Sequence, residues 1–207
     1  MRRRFLDISL PVDASVASWP GDTPFSSKWV AHLGKGAAVT VSQVTTSPHN
    51  GTHADAPCHF LLGTPGIGEV DPGKYIGPCR VVERIGNGPL GPDEVRRWRV
   101  RRGERILVRT RRRVDPRVFP KRFAHLTGES AALLAAAGAV LFGIDTPSVD
   151  HRDSKTMDGH KALLRGGVAI LENLDLSKAR PRRYRLIAPP LRLRGLDASP
   201  VRALLEV

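Results

Sequence analysis

The chain has 207 residues and a formal net charge of +13; 41% of its residues are hydrophobic and only 5% are aromatic. This length and composition fit one domain with an aliphatic core and exclude a disordered or fibrous protein. The two cysteines, Cys58 and Cys79, are too few for a disulfide framework. No stretch approaches the ~20 consecutive apolar residues of a membrane span, and polar residues follow the basic residues 1–5. We therefore expect a single cytoplasmic domain over residues 1–207, with neither a signal peptide nor a membrane partner.

Strand patterns dominate the first half of the chain. Polar and apolar residues alternate over Phe5–Leu10, and Ala38–Thr46 is rich in valine and threonine. Similar patterns predict strands over Cys79–Ile85 and Arg105–Thr110. Turns rich in glycine and proline separate these strands, as at Trp19–Asp22. The segment 96–113, which is rich in arginine and includes the last of these predicted strands, is a candidate for an excursion at the periphery of the domain.

Helix patterns are few and come later in the chain. A short helix is predicted to begin at Pro92, and Ser130–Ala137 has the clearest helix pattern, closed by Gly138. Two more helices are predicted over Asp158–Leu164 and Ser199–Leu205. Strands are predicted between and after the central helices, over Ala139–Ile144, Val168–Leu174 and Tyr184–Pro189. The sequence therefore predicts an α/β domain that is rich in strands and has few helices.

The segment Ser47–Phe60 carries the strongest chemical signal. It holds four candidate metal ligands at odd-numbered positions, namely His49, His53, Asp55 and His59. Alternate residues of an extended chain share a face, and the prolines and glycine of this segment predict bends that gather ligands around a point. Imidazole together with carboxylate suits Zn²⁺ or Mn²⁺ better than Mg²⁺. The alternative is a loop of hydrogen-bonded histidines, but three of the seven histidines beside one aspartate favour a metal site.

A second polar cluster lies about a hundred residues further along the chain. Glu172 interrupts an otherwise apolar strand pattern, where an unpaired charge is costly to bury. It is either a metal ligand or the partner of an arginine. The polar loop that precedes this strand ends at His160, which is a further candidate ligand.

The segment 49–60, HNGTHADAPCHF, resembles the H-x-G-x-H-x-D-x-P-x-H signature of the cyclase family of metal-dependent hydrolases. Further blocks spread over nearly the whole chain are similar to the bacterial kynurenine formamidase branch of that family. They include residues 19–22, 143–148, 154–158 and 169–172. The resemblance implies a compact, swivelling β/β/α-type domain that forms a homodimer.

The resemblance also implies a division of labour in the site. It implies two divalent ions per chain, most simply Zn²⁺ with Mn²⁺ as the alternative, held by His49, His53, Asp55, His160 and Glu172. The first two histidines would hold one ion and His160 the other, while the two carboxylates would bridge both ions. His59 would be the proton shuttle, and Trp19 would pack against the aromatic ring of the substrate.

The activity implied by the resemblance is hydrolysis of N-formylkynurenine to kynurenine and formate, a step of tryptophan degradation, by water activated on the metal. A sister hydrolase acting on isatin or another small or cyclic amide has the same ligands. A third alternative is a basic nucleic-acid-binding protein with a structural metal site. Structural zinc sites favour cysteine, and no aromatic residues interleave with the arginine clusters, so a small-molecule amide is the expected partner and nucleic acid is not.

Overall fold

The computed structural model describes residues 4–207, so most of the basic N-terminal pattern at residues 1–5 lies outside the described residues. Within residues 4–207 the chain forms three α-helices, α1 (Pro92–Trp98), α2 (Gly128–Ala136) and α3 (Asp158–Arg165). The same part of the chain forms thirteen strands: β1 (Phe5–Asp7), β2 (Ser26–Ala31), β3 (Val41–Thr45), β4 (His53–Asp55), β5 (Ile76–Glu83), β6 (Pro89–Leu90), β7 (Arg105–Arg109), β8 (His125–Leu126), β9 (Leu141–Ile144), β10 (Ala169–Glu172), β11 (Arg183–Ile187), β12 (Ala198–Pro200) and β13 (Leu204–Glu206). The expected strand-rich α/β fold is confirmed.

Nine of the described strands form one mixed sheet, in the order β1-β13-β11-β5-β7-β9-β10-β4-β12. The central strands β5, β7, β9 and β10 are parallel, and the strands on both sides of them pair antiparallel. The strands β2 and β3 form a separate antiparallel hairpin, and β6 pairs with β8. No helix of residues 4–207 is long and apolar enough to cross a membrane.

Both faces of the central sheet are buried, which explains the continuous apolar runs of its strands. In β7, Ile106 and Val108 point to the face that α1, α2 and α3 cover, whereas Leu107 points to the opposite face. The second face is packed by residues of β5, β11 and β13, including Leu186 and Leu205. The candidate ligands His53 and Asp55 lie in β4, near the edge of the sheet opposite β1, where β4 pairs with β10 and β12.

Two of the sequence predictions are wrong. The segment Ser199–Leu205 is not a helix: Ala198–Pro200 pairs with β4, and Leu204–Glu206 lies between β1 and β11. Strand pairing there overrides helix propensity, and Pro200 has no N–H for a helix interior. The segment 96–113 is not a peripheral excursion, because it contains β7 at the middle of the sheet. In the sequence, its arginines flank three consecutive buried apolar residues, 106–108.

Candidate metal centre and adjoining cavity

Strand register brings the two halves of the site together. In β4, His53 and Asp55 point to the same face, and His53 lies directly opposite Glu172 of β10. The residue after β9 begins a loop that leads to α3, whose third residue is His160. All four of these side chains are buried. Residues separated by more than a hundred positions therefore meet at one edge of the helix-covered face.

The two carboxylates each face histidines on both sides. Asp55 Oδ1 lies 3.4 Å from His53 Nε2, and its Oδ2 lies 3.4 Å from His160 Nε2. Glu172 Oε2 lies 3.4 Å from His53 Nε2, and its Oε1 lies 3.0 Å from His160 Nε2. His49 completes this group, with Nδ1 3.3 Å from Asp55 Oδ1. The alternative that Glu172 pairs with an arginine is wrong, since within residues 4–207 its ion-pair partners are histidines.

Hydrogen bonds behind the site fix which nitrogen each buried histidine presents. His160 Nδ1 lies 2.6 Å from a carboxylate oxygen of Asp150, and His53 Nδ1 lies 3.0 Å from the carbonyl oxygen of Gly51. Both oxygens accept, so the Nδ1 atoms donate and the Nε2 atoms point into the cluster. The backbone N–H of Val149 donates to Glu172 Oε1 at 2.7 Å and orients that carboxylate.

The donor set fits a divalent metal. His53 Nε2 and Asp55 Oδ1 are buried and have no hydrogen-bond partner within the described chain, although unsatisfied buried polar atoms are rare in folded proteins. Ligand atoms of two overlapping groups lie close enough to share an ion, namely His49, His53 and Asp55, and Asp55, His160 and Glu172. Nitrogen and carboxylate oxygen together suit zinc-like ions. A metal ion at this point would satisfy both of the unpartnered atoms.

The pKa values of the two buried histidines, His53 and His160, are raised by the carboxylates around them. Burial by itself would lower the pKa of His53, but its contacts with Asp55 and Glu172 raise that pKa to about 10. Burial would likewise lower the pKa of His160, yet Glu172 and Asp150 hold it well above its usual value. The two buried carboxylates therefore favour positive charge at this position, and a bound divalent cation supplies such charge.

Asp150, which orients His160, and Asp197 were not identified as site residues from the sequence. Asp197 lies just before β12, with Oδ2 3.0 Å from His49 Nε2 and 3.2 Å from His59 Nδ1. Together with these histidines it forms a third group whose ligand atoms are mutually close. Burial lowers the pKa of His59, in contrast to those of His53 and His160. Residues 196–200 are one more block similar to the kynurenine formamidase branch, but that similarity assigned no role to Asp197. The pairing of β12 with β4 reveals its position.

A cavity of about 530 Å³ opens onto the cluster. His49, His59 and Glu172 line one part of it, and Trp19 lines another. The Trp19 ring meets Phe119 edge to face, with ring centroids 5.2 Å apart. The structure thus places four of the five predicted ligands, together with His59 and Trp19, around one space of a size that a small aromatic molecule fits. The four are His49, His53, His160 and Glu172.

Comparison with known proteins agrees with this geometry. A family model described as "Putative cyclase" matches residues 6–151. The kynurenine formamidase of Delftia acidovorans is 44% identical over 207 residues, covering 100% of this chain and 99% of the relative.

Solved structures share the fold over the full length. A "predicted metal-dependent hydrolase" from Bacillus stearothermophilus superposes with a TM-score of 0.86 at 25% identity, covering 100% of this chain and 99% of that one. Isatin hydrolase A from Labrenzia aggregata superposes with a TM-score of 0.85 at 22% identity, covering 99% and 94%. The second likeness bears on the fold alone.

Proposed function

Because the chain belongs to the cyclase family, in its kynurenine formamidase branch, we propose that it hydrolyses N-formylkynurenine to kynurenine and formate. The chain is a metal-dependent hydrolase that acts on a carbon–nitrogen bond. One observation carries the choice of substrate class: a cavity that reaches a cluster of nitrogen and oxygen ligands also has an aromatic wall. An aryl formamide has a ring for that wall and a formyl group for the cluster.

Five residues would hold two divalent ions, with Zn²⁺ as the expected metal and Mn²⁺ as the alternative. His49 and His53 would hold one ion and His160 the other, and the carboxylates of Asp55 and Glu172 would bridge them. The two oxygens of each carboxylate facing different histidines support this arrangement. When bound, such ions polarise the carbonyl of an amide and lower the pKa of a water molecule.

His59 is proposed to move the proton that hydrolysis requires. In the reaction a water oxygen joins the formyl carbon, the carbon–nitrogen bond breaks and the aniline nitrogen gains a proton. His59 lines the cavity, and its Nδ1 is paired with Asp197, so its Nε2 is the atom left to exchange a proton with the substrate. Asp197 orients the imidazole in this account.

Trp19 and Phe119 are proposed to hold the aromatic ring of the substrate. Their edge-to-face contact builds a corner in the cavity wall, and an aryl ring can stack on one member while meeting the edge of the other. The reacting formamide is then directed towards the histidines that line the same cavity.

Hydrolysis of isatin is the second candidate function. Isatin also combines an aromatic ring with an amide, so it offers the same two groups to the aromatic wall and the ligand cluster of the cavity. The proposed ligands serve either substrate equally well, and the difference between the two must come from the cavity wall.

The remaining proposals concern organisation. Residues 1–207 are proposed to form one domain, in the cytoplasm. The nine-stranded sheet takes β1 and β13 from opposite ends of the described chain, which supports a single unit. A homodimer is also proposed. The hairpin of β2 and β3 exposes several apolar side chains that a second copy would cover, including Trp29, Val30, Leu33, Val41 and Val44. Light scattering of Trp29→Ser/Val44→Ser beside the unchanged protein tests this: we expect a dimer to become a monomer.

A substrate panel tests the proposed function. Purified protein is incubated with N-formylkynurenine and with isatin, and the products are identified by mass spectrometry. We expect kynurenine and formate at a kcat/KM well above that for isatin. Glu172→Gln is the matched control, because it keeps the side-chain shape, removes the charge and should abolish hydrolysis of both substrates. Faster turnover of isatin would contradict the proposal.

A further inference from the structure

Two cationic side chains line the cavity without an acidic partner. Arg152 and Lys155 lie in the loop between β9 and α3, and both contribute to the cavity wall. Neither forms an ion pair with any carboxylate of residues 4–207. Both side chains are exposed, whereas some other arginines are held in ion pairs, for example Arg80 with Glu104 at 2.7 Å. The charges of Arg152 and Lys155 therefore remain available to a ligand in the cavity.

Arg152 is held beside the aromatic wall. Its guanidinium carbon lies 5.5 Å from the centroid of the Phe119 ring, a cation–π distance, and Phe119 in turn contacts Trp19. The guanidinium is thus within about 11 Å of the Trp19 ring centre. In kynurenine-like molecules the carboxylate lies about 6–7 Å from the ring centre, judged from bond lengths near 1.5 Å. A ring on Trp19 consequently leaves its amino-acid side chain within reach of this cation.

The charges distinguish the two candidate substrates. N-formylkynurenine carries an amino-acid carboxylate, whereas isatin and simple aryl formamides carry none. Guanidinium and ammonium groups are the side chains best suited to bind a carboxylate. An unpaired arginine and an unpaired lysine in the same cavity wall therefore favour a ligand that carries a carboxylate.

We propose that Arg152 and Lys155 form a carboxylate subsite that selects aryl formamides bearing an amino acid over neutral aryl amides. The inference rests on the proposed function and names the part of the substrate that the cations recognise. Because the carboxylate is remote from the reacting formyl carbon, the subsite binds ground state and transition state alike. Its loss should raise KM and leave kcat nearly unchanged.

The test compares two substrates that differ only at the amino acid. These are N-formylkynurenine and N-(2-acetylphenyl)formamide, which has the same ring and formamide but a methyl ketone in place of the amino-acid side chain. The variants are Arg152→Gln, Lys155→Gln and the double variant. Arg152→Lys keeps the charge, and Arg112→Gln removes the same charge from an exposed arginine outside the cavity. Thermal melting checks that each variant is folded.

We expect each single Gln variant to lower kcat/KM for N-formylkynurenine by roughly 10-fold, and the double variant by roughly 100-fold, mostly through KM. The neutral formamide should change by less than about 2-fold, Arg152→Lys should keep most of the activity, and Arg112→Gln should match the unchanged protein.

One result overturns the subsite: an unchanged ratio of the two kcat/KM values in the double variant, whether both substrates lose activity equally or neither loses any. If the unchanged protein hydrolyses neither formamide, the proposed function fails and the subsite fails with it. If it hydrolyses both and the variants leave the ratio unchanged, only the subsite fails.

Discussion

Replacing Trp19 with alanine separates a role in substrate binding from a role in the core. Trp19 is half-buried and lines the cavity, and its ring contact within the described chain is the edge-to-face pair with Phe119. Such a pair is worth about 0.5–1.5 kcal/mol beyond the area it buries. We therefore expect Trp19→Ala to lower the free energy of unfolding by about 1–2 kcal/mol. The loss of a tryptophan from a core costs more, roughly 3–5 kcal/mol.

The assay combines thermal melting with kinetics on an aryl formamide and an alkyl formamide. For a chain of this length, 1–2 kcal/mol corresponds to a fall in Tm of about 2–8 °C. The aryl substrate should show a raised KM and the alkyl substrate should not. Trp98→Ala is the matched control, since Trp98 is 8% exposed and packs in the helix-side core. It should lose roughly 3–5 kcal/mol of stability and leave the preference between substrates intact. If Trp19→Ala behaves like that control, Trp19 is part of the scaffold and the argument for an aromatic substrate is refuted.

Further predictions separate ligands from their supports. His59→Ala should keep its metal and lose roughly 10²–10⁴ in kcat, the usual worth of a positioned proton donor or acceptor, whereas Asp55→Ala should lose both metal and activity. Elemental analysis beside kinetics decides this, and an emptied His59→Ala with a loaded Asp55→Ala would reverse the assigned roles. Asp150→Ala removes the acceptor from His160 Nδ1 and should weaken metal affinity by roughly 10- to 100-fold. A competition titration with a chelating dye measures that affinity, and an unchanged value would show that the imidazole is oriented by other contacts.

Much of the site could be predicted from sequence because its ligands cluster. His49, His53 and Asp55 lie within seven residues, and the short spacing limits how far apart they can fold. Glu172 was predictable for a different reason, since a single charge within an apolar strand needs a partner. The structure supplies His53 and His160 as its partners rather than an arginine.

The remaining parts of the site depend on contacts between distant segments. The local sequence assigned no role to Asp197 or Asp150, and only strand pairing and the start of α3 bring them to the histidines. The error at Ser199–Leu205 has the same origin. Its leucines fit a helix pattern, but they pair with β1, about 200 residues earlier in the chain, and with β11. The start of the segment pairs with β4, about 145 residues earlier. Long-range pairing decided the local structure there.

Metal titration is the most direct test of whether hydrolysis depends on the proposed two-ion site. The protein is stripped of metal with a chelator, and Zn²⁺ is returned in steps while hydrolysis of N-formylkynurenine is followed through the kynurenine formed. We predict that the stripped protein is inactive and that activity rises until about two ions are bound per chain. Full activity in the stripped protein, or tight binding of metal that never produces kynurenine, would contradict the account.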